Sequence, residues 1–369
     1  MGNRKLWMAM LAMALALALA ASGCGKGKSA GKASGGGKAD SAPATAGGAA
    51  PAGGAAGGAA PASAGGGGKT AGDWTAVDVS GIFGKGGGIR AIAFGNGKFV
   101  AVGQNHIDDF NNIPIAAYST DGAKWTVADV SGIFGKDPLL AVAFGNGKFV
   151  TASDRGQIAV SSDGIKWTAA ESIGKTTDAI AFGNGMFVAS SVVYSSDLIT
   201  WKQIMDFMVF RVIEAIAFGN DMFVAGGEAG LVYSPDGINW TRANNFPLSS
   251  HTYWAIAFGN GKFVAGGTAK DMAYSSDGAN WTVADTGTAF AFTNNCKADN
   301  AYKRAIAYGN NKFVAGGRAG VMATSQDGIA WTAVKDSPFG EKDDVWAIAF
   351  GNGTFVAGSV SGKIAYTKK

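Results

Sequence analysis

From residue 89 onward the chain alternates short apolar runs with turn residues, and the alternation repeats. The segment Ala-Ile-Ala-Phe-Gly-Asn begins at Ala91 and returns with small changes at Ala141, Ala179, Ala215, Ala255, Ala305 and Ala347. Successive starts lie 50, 38, 36, 40, 50 and 42 residues apart. Read from Ala255, one unit is Ala-Ile-Ala-Phe, the turn Gly259-Asn260-Gly261, the run Lys262-Phe263-Val264-Ala265, a loop, Met272-Ala273-Tyr274, and a last run Trp281-Thr282-Val283 introduced by Ser275-Ser276-Asp277-Gly278. Asn-Gly and Asp-Gly tolerate the positive φ of tight hairpins, so the first two runs and the last two each read as antiparallel strands. Four strands per roughly 40 residues is the pattern of a propeller blade.

The ends of the repeat region predict how the ring closes. The copy starting at Ala347 stops at Ile364-Ala365-Tyr366-Thr367 and lacks a fourth strand, while Asp73-Trp74-Thr75-Ala76-Val77 is a fourth strand with no blade before it. The Asp-Val-Ser-Gly-Ile-Phe-Gly-Lys that follows each of Trp74 and Trp125 places the two stretches in the same position. Pairing them leaves no open sheet edge to aggregate. The expected fold is an all-β, seven-bladed β-propeller of four-stranded blades over residues 73–369, closed by the N-terminal strand.

Between the third and fourth runs, Ser-x-Asp-Gly-x-x-Trp occurs at Ser119–Trp125, Ser161–Trp167, Ser234–Trp240, Ser275–Trp281 and Ser325–Trp331, and a sixth copy, Ser195–Trp201, carries Leu198 in place of Gly. A short Asp or Ser side chain accepts hydrogen bonds from turn amides, Gly permits the turn, and Trp packs on the sheet. The carboxylates are therefore expected as fasteners at the blade periphery. The motif resembles the Asp-box, or BNR repeat, of sialidase-type and related propellers, although that motif usually has one more residue between Asp and Gly. The resemblance implies a propeller fold; it spans both glycosidases and non-enzymatic binding or assembly proteins, so it does not choose between them.

The first 72 residues have another character. Arg4 and Lys5, an apolar run from Leu6 to Ala20, and Ala21-Ser22-Gly23-Cys24 read as a secretory signal over residues 1–23. Small residues directly before Cys resemble a bacterial lipobox, with Ala21 in the place of the commoner Leu, which predicts lipidation of Cys24 and a stable anchor from several acyl chains. Residues 24–72 are the lipidated Cys and a Gly/Ala/Ser/Pro/Lys tether with no bulky apolar residues to offset the entropy of ordering. The expected location is the bacterial cell envelope, lipid-anchored at the outer membrane.

The tether also distorts the charge. Residues 1–72 hold seven of the 31 Lys and Arg and one of the 27 Asp and Glu, leaving 24 basic against 26 acidic groups in the propeller. A basic nucleic-acid surface is not supported. Cys296 is the one thiol of the propeller, so no internal disulfide is available and blade packing must supply the stability. The expected form is a monomer.

Propeller loops converge on one face, and the residue just before each inner strand is expected to ring the channel mouth there: Arg90, Leu140, Asp178, Glu214, Trp254, Arg304 and Trp346. These positions diverge where the repeats otherwise agree. Of ten Trp, one lies in the signal and seven hold the repeated packing position; Trp254 and Trp346 are left over, and both fall in the ring. As ligand platforms beside Arg, Glu and Asp they suit a glycan, a peptide or a protein; as plugs they simply fill the channel. Two insertions are expected on the same face. Gln104–Pro114 carries His106, Asp108, Asp109, Asn111 and Asn112 and reads as a solvated polar loop, its spacing matching no calcium loop; Thr286–Lys303 carries Phe290, Phe292, Asn294, Asn295 and Tyr302.

A sialidase-like activity needs three Arg, a Tyr nucleophile assisted by Glu, and an Asp acid/base. Arg90, Arg211 and Arg304, Tyr253 and Tyr302, Glu214 and Asp178 are present one by one, but Phe210-Arg211-Val212-Ile213 only faintly echoes the Phe-Arg-Ile-Pro signature, and such enzymes have six blades. With only His106 and His251 and no Cys pair, neither a metal-hydrolase cluster nor a His-dependent triad assembles. The expectation is a non-catalytic binding or scaffold propeller without metal or cofactor, with a sialidase-like enzyme or an envelope assembly factor as alternatives.

Overall fold

The computed structural model describes residues 74–84, 87–108, 111–204, 212–228, 230–244, 252–268, 272–290 and 303–368. They form seven four-stranded antiparallel sheets in a ring, a seven-bladed β-propeller. The inner strands are Gly88–Gly95, Leu139–Gly145, Ile180–Gly183, Ile213–Gly219, Tyr253–Gly259, Lys303–Gly309 and Val345–Gly351, in blades 1 to 7. Each inner strand touches that of the next blade, and the seventh touches the first. Trp74–Val77 pairs antiparallel with Ile364–Thr367 and is the outer strand of blade 7. The other outer strands are two or three residues long, which keeps the exposed sheet edges short. Signal, Cys24, tether and Cys296 lie outside the described residues.

The repeated Phe-Gly-Asn has a packing reason. A Cβ on Gly95 would overlap the ring of Phe144, and the same relation links Gly145 to Phe182, Gly183 to Phe218, Gly219 to Phe258, Gly259 to Tyr308, Gly309 to Phe350 and Gly351 to Phe94. Every blade thus gives up a side chain so that the next blade's aromatic ring can lie against its backbone. The following Asn adopts the left-handed conformation and reaches across the same seam. Asn96 Nδ2 donates to the carbonyls of Gly147 and Ser162, at 3.2 and 2.9 Å, and Asn352 Nδ2 donates to those of Gly97 and Thr120, at 3.3 and 3.4 Å. One Phe of each second strand, from Phe99 through Phe355, is fully buried between blades. Each such burial stabilises the fold by about 1.5 to 3 kcal/mol.

The Ser-x-Asp-Gly-x-x-Trp turns are fasteners in geometry. In blade 1, Ser119 Oγ accepts the Gly122 amide, Asp121 Oδ1 accepts those of Ala123 and Lys124, and Trp125 Nε1 donates to the Gly122 carbonyl, at 2.8 to 2.9 Å. Gly122, at φ 76°, lies against Val356 of the preceding blade. In the sixth copy Leu198 takes φ 64° and fills the corresponding seam in a cluster with Val150.

The insertion at Gln104–Pro114 differs from the expected polar loop. The second and third strands of blade 1 run on as Lys98–Asp108 and Asn111–Ser119, with Gln104 opposite Pro114 and His106 opposite Asn112. Backbone pairing joins its two strands, and the extended hairpin packs over Gly84 and Gly87, where Asn105 and Gln104 leave no room for a Cβ. Of the second insertion, Thr286–Phe290 is described; Phe290 is buried against Trp331, with ring centroids 5.9 Å apart. Residues 291–302 lie outside the described residues.

Candidate functional site

The divergent residue sits one step deeper in its strand than the sequence pattern suggests. In blade 1, Ile89 pairs with Gly103 and Ala91 with Val102, so Arg90 is the extra residue of a β-bulge. The same register shift skips Leu140, Glu214, Trp254, Arg304 and Trp346. These six are therefore inside the inner strands, not just before them. A bulge re-aims one side chain without disturbing those on either side, which lets one position vary while its neighbours keep the core. The strand opposite carries the signal that marks it: a Cβ on Gly103, Gly227 or Gly267 would strike the carbonyl oxygen of Gly88, Val212 or Thr252. Glycine within a strand pattern is a bulge marker, and Val-Ala-Gly-Gly at Val224, Val264 and Val314 is where sequence reasoning had the means to find it. Blades 2 and 7 bulge with Ser153 and Ser359 at that position instead, and the ladder of blade 3 has no bulge. There Asp178 precedes the strand, and Ser190 Oγ accepts the amides of Asp178 and Ala179 in place of a ladder partner, at 2.8 and 3.2 Å.

All seven residues line one cavity of about 170 Å³ at the channel mouth, above a funnel of the following Ala and Ile or Val residues. In ring order, Arg90, Trp346, Arg304 and Trp254 form a stack. Arg90 Cζ lies 4.1 Å from the Trp346 ring centroid, and Arg304 Cζ lies 4.6 Å from Trp346 and 4.1 Å from Trp254. Trp254 and Trp346 are each half-buried and line the cavity. Their faces hold the arginines, an attraction of about 0.5 to 2 kcal/mol per pair.

The other arc is acidic. Glu214 is half-buried, and Asp178 is open to the water of the channel yet walled by protein. Burial, with repulsion from Asp178 and Glu228 and against the pull of Arg304, pushes Glu214 up to about 7. Burial and repulsion from Asp154 also raise Asp178, against Arg90 and Arg304. Burial and the neighbouring Arg304 lower Arg90. Neither Asp178 nor Glu214 is in an ion pair among the described residues. Asp154 and Glu228, on the second-to-third-strand connections, were not singled out by the repeat comparison because those loops vary throughout.

Of the groups of the sialidase pattern, Arg90, Arg304, Asp178 and Glu214 meet in this cavity. Tyr253 is fully buried between blades beside Ile256 and Phe263, and it does not line the cavity. Arg211, Tyr302 and His251 lie outside the described residues. Among the described residues no group of three or more His, Cys, Asp or Glu is placed to hold a metal ion.

No family model and no curated protein matches the sequence. Solved propellers match the fold. YCF48 bound to D1 peptide superposes with a TM-score of 0.61 and 16% identity over 80% of this chain and 95% of that one. YCF48 from Cyanidioschyzon merolae gives 0.57 and 13% over 80% and 98%. A catalytically inactive virginiamycin B lyase from Staphylococcus aureus, solved with quinupristin, gives 0.60 and 11% over 80% and 99%. At these identities the likeness defines the class, a β-propeller.

Proposed function

We propose that the chain is an Asp-box-type propeller lipoprotein of the bacterial envelope, anchored through Cys24, that acts as a non-catalytic binding module with its ligand site at the channel mouth. One observation carries this reading: in repeats that otherwise agree, the divergent position of each blade meets the other six in a single cavity. The bulges that present these side chains are an expense of regular pairing that a purely structural ring does not need. A peptide or protein ligand is favoured over a glycan chain, because the cavity brings two guanidiniums and two carboxylates together, groups that pair with the charges of a peptide. That YCF48, a propeller of the same class, is bound to a peptide supports the same choice.

Glu214, poised near neutral pH, favours one second reading, a proton-transferring enzyme. Among the described residues the cavity lining holds no Tyr to serve as its nucleophile, Tyr253 being packed away. Peptide and glycan arrays probed with the wild-type chain and with Trp254→Ala/Trp346→Ala test the binding reading: hits lost in the double variant support it, and hits unchanged in that variant refute the channel-mouth site. Sialoside hydrolysis that disappears in Glu214→Gln would establish the enzyme instead.

A further inference from the structure

The channel mouth holds its charges apart. Arg90 and Arg304 stand on blades 1 and 6, with Trp346 between them, and Asp178 and Glu214 stand across the ring on blades 3 and 4. Opposite charges sharing one cavity normally collapse into ion pairs, yet neither carboxylate makes one among the described residues. The two Trp residues explain the separation. Trp346 lies between the two guanidiniums, and Arg304 is held between Trp254 and Trp346, so the indole faces keep the cations on their own arc. A guanidinium stacked by its face still presents in-plane N–H donors to a carboxylate.

Like charges also gather on each arc. Asp178 and Glu214 repel each other, with Asp154 and Glu228 nearby, and Arg90 and Arg304 repel each other. A cation beside the carboxylates and an anion beside the arginines would relieve both repulsions at once.

We infer that the cavity is a socket for a zwitterion of amino-acid size, its carboxylate received by the Arg90 and Arg304 arc and its ammonium by Asp178 and Glu214, with Trp254 and Trp346 as positioning residues. This rests on the reading that the channel mouth is the ligand site. An ammonium beside Glu214 stabilises its ionised form, so binding near neutral pH releases protons.

The experiment is calorimetric titration of the full chain with the standard free amino acids, each compared with its N-acetyl and its carboxamide form, which keep one charge only. At least one free amino acid is expected to bind, both capped forms to weaken by about tenfold or more, and the heat of binding to vary with the ionisation enthalpy of the buffer. Arg90→Ala and Glu214→Gln should each weaken binding. In Trp346→Ala the released Arg90 should approach the carboxylates, so carbon-detected NMR should show the Glu214 midpoint falling; a merely structural Trp would leave that midpoint unmoved and overturn the positioning role. The zwitterion is overturned if no free amino acid binds, or if either capped form binds as well as its parent. Array peptides that bind through the ring while free amino acids do not would overturn the zwitterion and leave the channel-mouth site standing. Failure of both would remove the site itself.

Discussion

Gly351 of the last blade packs its backbone against the ring of Phe94 of the first. Six other Gly-aromatic contacts join consecutive blades, and this one joins residues at opposite ends of the domain. A methyl group there has no space to occupy. Gly351→Ala is expected to destabilise the protein by about 1 to 3 kcal/mol through overpacking, whereas Gly97→Ala, with open space but φ 74°, should cost only about 1 kcal/mol. Denaturant midpoints compare the two. In the Gly351→Ala/Phe94→Ala pair the effects should be non-additive; additive losses would mean that the contact is not the cause.

Closure also runs through Trp74–Val77, which pairs with Ile364–Thr367. Deleting residues 74–80 bares the edge of blade 7 and removes Trp74 from its cluster with Phe339 and Phe355 and buried Val79 from its own. The expected cost is at least the roughly 3 to 5 kcal/mol of a large aromatic truncation. An unchanged thermal unfolding curve would contradict that role for the strand.

The carboxylates of the Ser-x-Asp-Gly-x-x-Trp turns predict acid sensitivity. Burial alone would raise Asp236, but amides of Asn239 and Ile238 and the side chains of Asn239 and Ser234 outweigh it and lower the group to about 2. Its folded value lies below the ordinary 3.8, so its contribution is present above pH about 4 and is lost as pH falls through about 2. Asp236→Ala should cost roughly 1 to 2 kcal/mol at neutral pH, and the difference from wild type should shrink in acid. A constant difference from pH about 7 to about 2 would argue against the linkage.

Glu214 has the opposite sign. The folded protein holds its proton more tightly than the unfolded chain, at about 7 against 4.5. Stability therefore falls as pH rises from about 4.5 to about 7, and the penalty is complete above that range. Glu214→Gln should be more stable than wild type by roughly 1 to 3 kcal/mol at pH about 8 and nearly equal to it at pH about 4. Melting temperatures across that range check it, and parallel curves would show that Glu214 is not the group responsible.

The anchor is tested apart from the propeller. Cys24→Ser should move the protein from the membrane fraction to the soluble fraction, with its melting temperature unchanged; continued partition into detergent would sink the lipidation proposal.

The sequence by itself determined the blade count, the strand order within a blade and the identity of the ring residues, because each follows from local rules that recur along the chain. Asn-Gly turns at Asn96 or Asn260 and the Ser-x-Asp-Gly turns at Asp121 or Asp277 need only their neighbours in the chain to define a hairpin. Only the tertiary structure decided what those residues do to one another. Nothing in the chain near Gly95 says that Phe144 will lie on it, and Arg90 and Trp346 stand at opposite ends of the repeat region until the ring closes. The bulge that turns Arg90 into the channel depends on a partner strand and a close backbone approach at Gly103. The half-burial of Trp254 and Trp346, and the separation of the guanidiniums from Asp178 and Glu214, arise from contacts across blades, and those lie beyond what spacing along a chain can encode.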